Sequence, residues 1–431
     1  MKNILLVNPW IYDFAAYDLW LKPWGLLKIS SILKKAGFNV YHLDLLDRHH
    51  PLIKDGSRDH PDGTGKYIAE EVRMPGVLQN IPRKYKRYGL PAGFFKKALP
   101  DERIDAILVS SGMTYWYPGV FEAIRKLKDN YPGVPVVLGG TYATLSYEHA
   151  LEKSGADHVV KNNDLEKLSG ILGKSLDLSF QNVLNADIDY DGYKDPLYGV
   201  LRLSLGCPFN CSYCAQKKLS PVFMLKDKEK AIKEITMLYG RGIRNFAFYD
   251  DALLFDSGYI SRYLKEVTGR GIRANFYTPN GLHARFMDRK TAKLLKKANF
   301  LNPVLSLEIA NDEKGRFWHD KVSRREISDA VTNLKEAGYK NGEYMVYLML
   351  GAPGCTTEEV EEGARFIHSL GAKISLSEFS PIPGTAMAED FKEARIEPLL
   401  QNNSIFPSFS LAEWESVQKL KDKAKKLNSL L

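Results

Sequence analysis

Short apolar runs alternate with amphipathic stretches along the first part of the chain. Apolar runs that predict strands lie at Ile4–Asn8, Val40–Asp44, Ala106–Ser110, Pro135–Leu138 and His158–Lys161. Such short, continuous runs are typical of parallel strands that are buried on both faces. The amphipathic stretches predict helices, for example Pro23–Ala36, which Gly37 would end. The alternation favours an α/β fold, with a doubly wound, Rossmann-like sheet over residues 1–172.

Residues 47–101 interrupt this alternation. They are rich in Pro, Gly, Lys, Arg and Tyr and show no clear period. A segment of this length inside a compact domain is usually functional or disordered. Two interpretations stay open, a cap over the functional site and a merely solvated insertion.

A second series of strands and helices begins after residues 173–197, which we predict to be a linker. Its strands are predicted at Val200–Leu205, Asn245–Tyr249, Ala274–Tyr277, Val304–Ile309, Tyr344–Leu350 and Ile374–Glu378. Six strands with intervening helices predict a partial (βα)6 barrel over residues 198–385. Residues 386–431 are predicted to be a helical extension. Its amphipathic segment Trp414–Leu431 is better explained by packing against the barrel than by membrane binding.

Composition and charge narrow the class of protein. Hydrophobic residues make up 44% of the chain and charged residues 26%, which is typical of a globular protein in water. The net charge of +8 is spread along the chain, so it gives no reason to expect a nucleic-acid partner. No apolar run approaches the ~20 residues that a membrane-spanning helix needs. No signal peptide is visible and cysteine is scarce, so we expect a cytoplasmic protein.

Three of the four cysteines, Cys207, Cys211 and Cys214, lie within eight residues. Disulfides explain this bunching poorly, whereas metal ligation explains it well. Three thiolates can bind three irons of a cubane cluster and leave the fourth iron open, although four cysteines are usual. The alternative is structural zinc, which prefers four ligands, and no second Cys or His pair follows closely.

The segment Cys207-Pro-Phe-Asn-Cys211-Ser-Tyr-Cys214 resembles the CxxxCxφC signature of the radical S-adenosylmethionine (SAM) superfamily. It also follows the predicted first barrel strand, where that family carries it. The resemblance implies a 4Fe-4S cluster on these cysteines, with SAM on the open iron and beside Tyr213.

Further segments resemble the SAM-binding elements of the same family. Asp250 and Asp251 end the second predicted strand, where the family carries an acidic element that contacts the methionyl amine. A turn or helix-capping role is the alternative for these carboxylates. Glu308 ends the fourth strand, like the family's element near the ribose, and Gly351 ends the fifth, like its glycine motif near the adenine.

Cys355 lies on the same predicted face, shortly after Gly351. A single cysteine is usually inert packing, and we favour that interpretation. A catalytic or redox role is the alternative, and the thiolate character of Cys355 would decide it.

The first domain resembles that of the cobalamin-binding radical SAM subfamily, through Pro23-Trp-Gly25-Leu-Leu, Gly139-Gly140 and Asp157-His-Val-Val. The cobalamin-ligating Asp-x-His-x-x-Gly motif is absent after the first strand, so cobalamin would be bound without a His ligand. The candidate cobalamin-binding residues follow the third and fourth strands: Ser110, Ser111, Thr114, Gly139, Gly140 and Thr141. An empty Rossmann-like scaffold is the alternative.

These resemblances imply reductive cleavage of SAM to a 5′-deoxyadenosyl radical, with methyl transfer to an unactivated carbon. The implied partners are a small-molecule or peptide substrate and an electron donor such as flavodoxin or ferredoxin. Three alternatives remain: an oxidoreductase or cyclase without methyl transfer, an enzyme with a vestigial N-terminal domain, and a cobalamin-binding sensor. A methylthiotransferase is disfavoured because no Cys precedes Cys207.

Overall fold

The structure is a computed structural model that describes residues 1–53, 59–318, 322–410 and 413–431, without the side chains of residues 316 and 317. No helix in the described ranges is long and apolar enough to cross a membrane.

The first half of the chain forms a parallel sheet with two small antiparallel sheets at its edge. Its strands are β1 (Asn3–Asn8), β2 (Ile11–Asp13), β3 (Tyr17–Asp18), β4 (Asn39–Asp44), β5 (Gly65–Lys66), β6 (Ala69–Glu71), β7 (Lys86–Tyr88), β8 (Ala106–Val109), β9 (Val136–Leu138) and β10 (His158–Val159). Its helices are α1 (Trp24–Lys35), α2 (Tyr117–Asn130), α3 (Thr141–Leu145), α4 (Tyr147–Lys153) and α5 (Lys167–Leu172).

The parallel sheet has the strand order β10-β9-β8-β1-β4. Helices cover both of its faces, because Leu33 of α1 and Leu168 of α5 belong to one core while Ile124 of α2 belongs to another. All five predicted strands are present, and α1 ends just before Gly37, which has a φ of +84°. The predicted doubly wound domain is therefore confirmed.

The insertion is ordered wherever the structure describes it; residues 54–58 lie outside the described ranges. Strand β7 pairs with β2 on one side and with β6 on the other, and β5 pairs with β3. Residues 61–62 contact the second domain. Asn245 donates to the carbonyl of Pro61 at 3.1 Å. Trp20 donates to the carbonyl of Asp62 and stacks on Tyr277, with ring centroids 4.6 Å apart. The described part of the insertion is therefore packed against both domains, and its role as a cap stays a prediction.

The predicted linker is a packed part of the structure. It contains α6 (Phe180–Asn185), and its residues Leu184, Ile188 and Tyr190 are buried in the same core as α1 and the second domain. Residues 173–197 are therefore packed along their length, which their weak hydrophobic periodicity did not indicate, and their place as the boundary between the domains stays a prediction.

The second half of the chain is a barrel of parallel strands. Its strands are β11 (Gly199–Leu201), β12 (Ser204–Leu205), β13 (Met224–Leu225), β14 (Asn245–Phe248), β15 (Asn275–Tyr277), β16 (Leu282–His283), β17 (Val304–Glu308), β18 (Met345–Leu350) and β19 (Lys373–Glu378). Its helices are α7 (Gln216–Leu219), α8 (Lys228–Gly240), α9 (Ser257–Gly269), α10 (Arg289–Lys297), α11 (Asp312–Phe317), α12 (Arg324–Glu336), α13 (Thr357–Ser369), α14 (Lys392–Ile396) and α15 (Trp414–Asn428).

The barrel strands form two parallel sheets, β11-β14-β15 and β16-β17-β18-β19. A single parallel bridge between Phe276 and Phe300 lies at the junction. All six predicted strands are present, and the partial (βα)6 barrel is confirmed. Helix α15 packs on the barrel as predicted, because Val417 and Leu420 are buried and Asn428 bonds the backbone of Ile374.

The two domains share one hydrophobic core and a buried charge cluster. Lys28 of α1 is fully buried and forms an ion pair with Glu234 of α8, which also pairs with Lys226 at 2.6 Å. Burial lowers the pKa of Lys28. Burial alone would raise the pKa of Glu234, but Lys226 and Lys28 hold it below the usual range. The cluster therefore couples the first domain to the barrel.

Candidate functional site

The three clustered cysteines lie at the tip of a hairpin whose base is the antiparallel pair β12–β13. Gly206 enters this loop with a φ of +81°, and a Cβ on it would be 2.4 Å from the carbonyl oxygen of Val222. Only glycine therefore lets the two sides of the hairpin approach this closely. The amide of Cys214 donates to the carbonyl of Cys211 at 3.1 Å, which folds the last ligand pair into a turn.

Cys207 and Cys211 lie close enough to Cys214 to affect the pKa of its thiol. The pKa of the Cys214 thiol is raised to about 11, first by desolvation and also by Cys211 and Cys207. Among the described residues, no three His, Cys, Asp or Glu side chains converge as ligands of a single metal ion do. Cluster ligands need not converge in that way, because each thiolate binds a different iron. The loop therefore fits a cluster with three protein ligands.

Ser212 and Tyr213 fix the cysteine loop to its surroundings. The carbonyl of Ser212 accepts a hydrogen bond from the amide of Met387 at 3.0 Å, so the C-terminal extension holds the loop. The Ser212 hydroxyl is buried and has no hydrogen-bond partner within the described part of the chain. Tyr213 packs edge-on against Trp318, with ring centroids 5.9 Å apart, and burial raises its pKa well above the usual value.

Asp250 supports the backbone that leads into the cysteine loop. Its carboxylate accepts hydrogen bonds from the amides of Leu203 and Ser204 and from the Ser204 hydroxyl, all between 2.6 and 3.1 Å. Asp250 is 2% exposed, and burial raises its pKa to about 6. This carboxylate is therefore engaged by the chain itself, and the turn-stabilising alternative describes it better than contact with SAM.

Asp251 lies on the other side of the same strand end. It forms an ion pair with Arg202 at 2.6 Å, and the Arg202 guanidinium lies over the ring of Trp24. Burial raises the pKa of Asp251, while Arg202 lowers it. Arg202 was missed by the sequence analysis, although its position at the end of the first barrel strand could have indicated it.

Glu308 has an unusual backbone conformation at the end of β17. Its φ is +68°, and the register with β18 shifts between Ser306 and Glu308. A positive φ in a non-glycine residue costs on the order of 1 kcal/mol and is most often found at functional sites. The side chain raises the pKa of both Tyr213 and Tyr347, so it lies close to these two rings.

Gly351, at the end of β18, is covered by the C-terminal extension. Its φ is +76°, its carbonyl accepts a hydrogen bond from the Ser408 hydroxyl, and a Cβ on it would be 2.6 Å from the Phe409 ring. Ser408 and Phe409 therefore form part of the wall beside the predicted adenine site. Sequence analysis missed them because they lie more than 50 residues from Gly351.

Cys355 packs in an apolar group with Tyr213, Ile309 and Met349. Burial raises the pKa of its thiol to about 11, so the protonated form dominates at neutral pH. The environment favours the packing interpretation over the catalytic one, and the catalytic role stays an untested prediction.

The predicted cobalamin-binding residues meet at one edge of the first sheet. The chain adds β4 on one side of β1 and then β8 on the other, so the strand order reverses between β1 and β8, where ligands of doubly wound sheets bind. The Ser110 hydroxyl contacts Asn8 across this point at 3.3 Å. Thr114 lies four residues further on and is buried.

Ser111 joins the two loops that carry the remaining candidates. Its hydroxyl donates to the carbonyl of Gly139 at 2.6 Å, and its carbonyl accepts from the amide of Thr141 at 2.9 Å. A Cβ on Gly140, whose φ is +94°, would be 2.5 Å from the Ser111 oxygen, whereas one on Gly139 would meet only the Val160 carbonyl at 3.6 Å. The Gly139–Gly140 turn therefore gives a closely packed loop with one open side, which fits a bound group.

Two helices that start beside the two candidate cofactor sites are in contact. Helix α7 begins two residues after Cys214 and packs beside α3, which begins directly after the Gly139–Gly140 turn. The sequence predicted both sites but not their contact.

Comparison with known proteins supports both domains. Residues 201–367 match the Radical SAM superfamily, and residues 95–168 match the B12 binding domain. An uncharacterized methyltransferase, PH0819, of Pyrococcus horikoshii is 25% identical over 337 residues, which are 69% of this chain and 71% of the relative.

A second relative and a solved structure extend the comparison. The anaerobic magnesium-protoporphyrin IX monomethyl ester cyclase of Cereibacter sphaeroides is 23% identical over 323 residues, or 64% of this chain, which spans only 52% of that relative. The radical SAM methyltransferase TsrM of Kitasatospora setae, solved with cobalamin and a 4Fe-4S cluster, superposes with a TM-score of 0.66 at 16% identity. The match covers 91% of this chain and 78% of TsrM.

The cysteine loop, the order of the two domains and the two matches together make this chain a radical SAM enzyme with a B12-binding domain, whose cofactors are a 4Fe-4S cluster, SAM and cobalamin.

Proposed function

We propose that the protein is a cobalamin-dependent radical SAM methyltransferase. The observation that carries the proposal is the contact between α7, directly after Cys214, and α3, directly after the Gly139–Gly140 turn. Methyl transfer through cobalamin requires that the two cofactor sites open onto one shared space. The packing of these two short helices supports that requirement.

The bound cofactors would supply a 5′-deoxyadenosyl radical from SAM and a methyl group from cobalamin. Cys207, Cys211 and Cys214 would hold three irons. Asp250 keeps the backbone at Leu203 and Ser204 in the position from which the cysteine loop starts. Tyr213 and its apolar neighbours exclude water from one side of the SAM site.

SAM would lie along the ends of the barrel strands. Glu308 and Gly351 would flank its ribose and adenine, as proposed from their motifs. Asp251, which Arg202 already orients, is the better of the two acidic candidates for the methionyl amine, because Asp250 is engaged by backbone amides. Ser110, Ser111, Thr114, Gly139, Gly140 and Thr141 would line the cobalamin side.

The names of the relatives support methyl transfer and leave one alternative. The P. horikoshii relative and TsrM are both called methyltransferases. The C. sphaeroides relative is called a cyclase, which favours radical oxidation or cyclisation without methyl transfer as the second candidate. In either case we propose a small-molecule or peptide substrate, and a flavodoxin or ferredoxin as the electron donor.

The test is anaerobic reconstitution with iron, sulfide and cobalamin, followed by incubation with SAM and dithionite. We expect about four irons per chain, bound cobalamin, and formation of 5′-deoxyadenosine. Cys211→Ala should lose both the cluster and 5′-deoxyadenosine formation. The matched control is Cys355→Ala, which removes a thiol from the same region and should keep at least half of the activity.

Different failures have different meanings. Normal 5′-deoxyadenosine formation by Cys211→Ala would contradict the cluster assignment. Failure to retain cobalamin, with 5′-deoxyadenosine still formed, would remove methyl transfer by this route and leave the second candidate. Loss of activity in Cys355→Ala would restore the catalytic role of that thiol.

A further inference from the structure

An aromatic patch borders the cysteine loop on the side away from Tyr213. It consists of Phe209, Phe223, Phe255, His283 and Phe286, which we call the aromatic patch. Phe209 lies between Cys207 and Cys211 and stacks on His283, with ring centroids 4.5 Å apart. The other rings form a continuous network with centroid distances between 5.1 and 6.1 Å.

The aromatic patch faces solvent. Phe255 is 41% exposed, and the neighbouring Val222 is 58% exposed. Phe209, Phe223 and Phe286 are half-buried. Large exposed apolar side chains that touch one another usually mark an interaction surface, whereas scattered single ones need no explanation.

Exposed lysines lie on the two elements next to the aromatic patch. Lys217 and Lys218 follow the cysteine loop. Residues 281–297 contain six Lys or Arg and one Asp, although three of these basic side chains form ion pairs with glutamates. That single acid, Asp288, caps α10 by accepting from the amide of Thr291 at 2.7 Å. Lys290 and Lys293 of α10 are exposed. The surface therefore suits an acidic partner with an apolar contact zone.

Other described parts of the chain cover the remaining neighbours of the cysteine loop. Met387 binds the backbone of Ser212, and Ser408 and Phe409 cover Gly351. The face toward the first domain is taken by α3 against α7. Within the described part of the chain, the aromatic patch is therefore one side from which a protein in solution can come close to the cysteine loop.

We propose that the aromatic patch and the basic face of α10 dock the acidic one-electron carrier protein that reduces the cluster. This inference rests on the proposed function and names the surface that its electron donor uses. The step transfers one electron: the carrier's reduced flavin or iron-sulfur centre is oxidised by one electron, and the bound cluster is reduced by one. Phe209 puts the contact zone directly on the loop that holds two of the ligands.

The experiment measures reduction of the reconstituted holoenzyme by a bacterial flavodoxin hydroquinone and by a reduced ferredoxin, in stopped flow at the cluster absorbance band. The variants are Phe255→Ser and the double change Lys290→Glu with Lys293→Glu. The matched controls are Leu151→Ser, an exposed apolar residue on α4, and Lys96→Glu with Lys97→Glu, exposed lysines of the insertion. Dithionite serves as the small reductant that needs no docking surface.

We expect each patch variant to lower the second-order rate constant with at least one carrier by about tenfold. The effect of the lysine changes should shrink as salt rises from low to physiological strength. Reduction by dithionite, and the 5′-deoxyadenosine formed with it, should stay unchanged, so the proposed function is tested separately. The controls should behave as the unchanged protein.

Two results would overturn the docking surface. One is an unchanged rate constant with both carriers in all patch variants. The other is normal reduction by the carriers together with less 5′-deoxyadenosine formed under dithionite, which would assign the aromatic patch to the space where SAM and substrate bind instead.

Discussion

Asp250 shows how one buried carboxylate can link a barrel strand to the cofactor loop. Its raised pKa means that the folded chain binds a proton at this site more tightly than the unfolded chain does. The stabilising contribution is therefore fully present below the unfolded pKa and is lost as pH rises through the folded pKa of about 6. The relevant window is about pH 4 to 6.

The change Asp250→Asn removes this titration while keeping the shape of the side chain. The stability advantage of the unchanged apoprotein over the variant should shrink by on the order of 2–3 kcal/mol between pH 4 and pH 6 and then stay level. Urea unfolding at several pH values measures it. Ser204→Ala removes a hydrogen bond that favours the carboxylate, so its window should extend above pH 6. An advantage that grows with pH would contradict the assignment.

The same residue marks a limit of sequence-based reasoning. The sequence predicted an acidic residue at the end of the second barrel strand. It also contained a clue to the side of the strand on which each carboxylate lies, and the prediction left that clue out. Phe246 and Phe248 pack in the core that includes α8 and α9, and Asp250 continues their alternation. Asp251 instead shares a side with Tyr249. Because side chains alternate between the two faces of a strand, the sequence could have assigned Asp250 and Asp251 to opposite faces.

At the scale of elements, the cysteine hairpin depends on Gly206 at its base. Gly206→Ala would bring a methyl group to within 2.4 Å of the Val222 carbonyl in a backbone conformation that disfavours side chains. We expect a loss of about 1–3 kcal/mol of stability and incomplete iron loading after reconstitution. Iron analysis and thermal unfolding measure both.

Gly240 is the matched control for that change. It is the last residue of α8, and nothing lies within 4 Å of a Cβ placed on it. Gly240→Ala should leave iron loading unchanged and alter stability by less than about 1 kcal/mol. Full iron loading in Gly206→Ala would show that the cysteine loop can bind the cluster even when the two sides of the hairpin are farther apart.

The longer parallel strands were predictable from the sequence, whereas a very short strand and the pairing of distant strands were not. The eleven parallel strands predicted from the sequence follow from apolar runs. Strand β16 was missed because it has only two residues, Leu282 and His283, which is too short for any period. The sheet of β2, β7 and β6 joins residues about 75 positions apart, and nothing in the local pattern of Ile11–Asp13 indicates that partner.

At the scale of the whole molecule, the buried cluster of Lys28, Lys226 and Glu234 connects the domains. Glu234→Gln would leave two buried ammonium groups without their counter-charge and should cost about 3–5 kcal/mol. Lys28→Met should cost less, because Glu234 keeps its 2.6 Å contact with Lys226. Calorimetry should show a single transition in both variants, because one core runs through both domains.

Two results would argue against this coupling. Equal costs for the two changes would mean that Glu234 does not hold the charges together. Separate unfolding transitions for residues 1–172 and 198–385 would mean that the shared core does not join the domains, whose limits remain those predicted from the sequence.

The C-terminal extension was predicted to be helical, but its contacts with the first domain were not predictable. Asn402 donates to Asp13 at 2.9 Å, and Tyr117 donates to Glu397 at 3.0 Å, across almost the whole length of the chain. The periodic pattern of apolar residues cannot indicate hydrogen bonds of this kind between polar side chains. They attach the C-terminal extension to the first domain.

The stacking of Trp20 on Tyr277 has a consequence for folding during protein synthesis. During synthesis the first domain leaves the ribosome before any barrel strand exists. Trp20 and Pro61 can therefore make their contacts with Tyr277 and Asn245 only after β14 and β15 have been synthesised. A fragment that begins at the barrel would lack both the ring that stacks on Tyr277 and the carbonyl that binds Asn245.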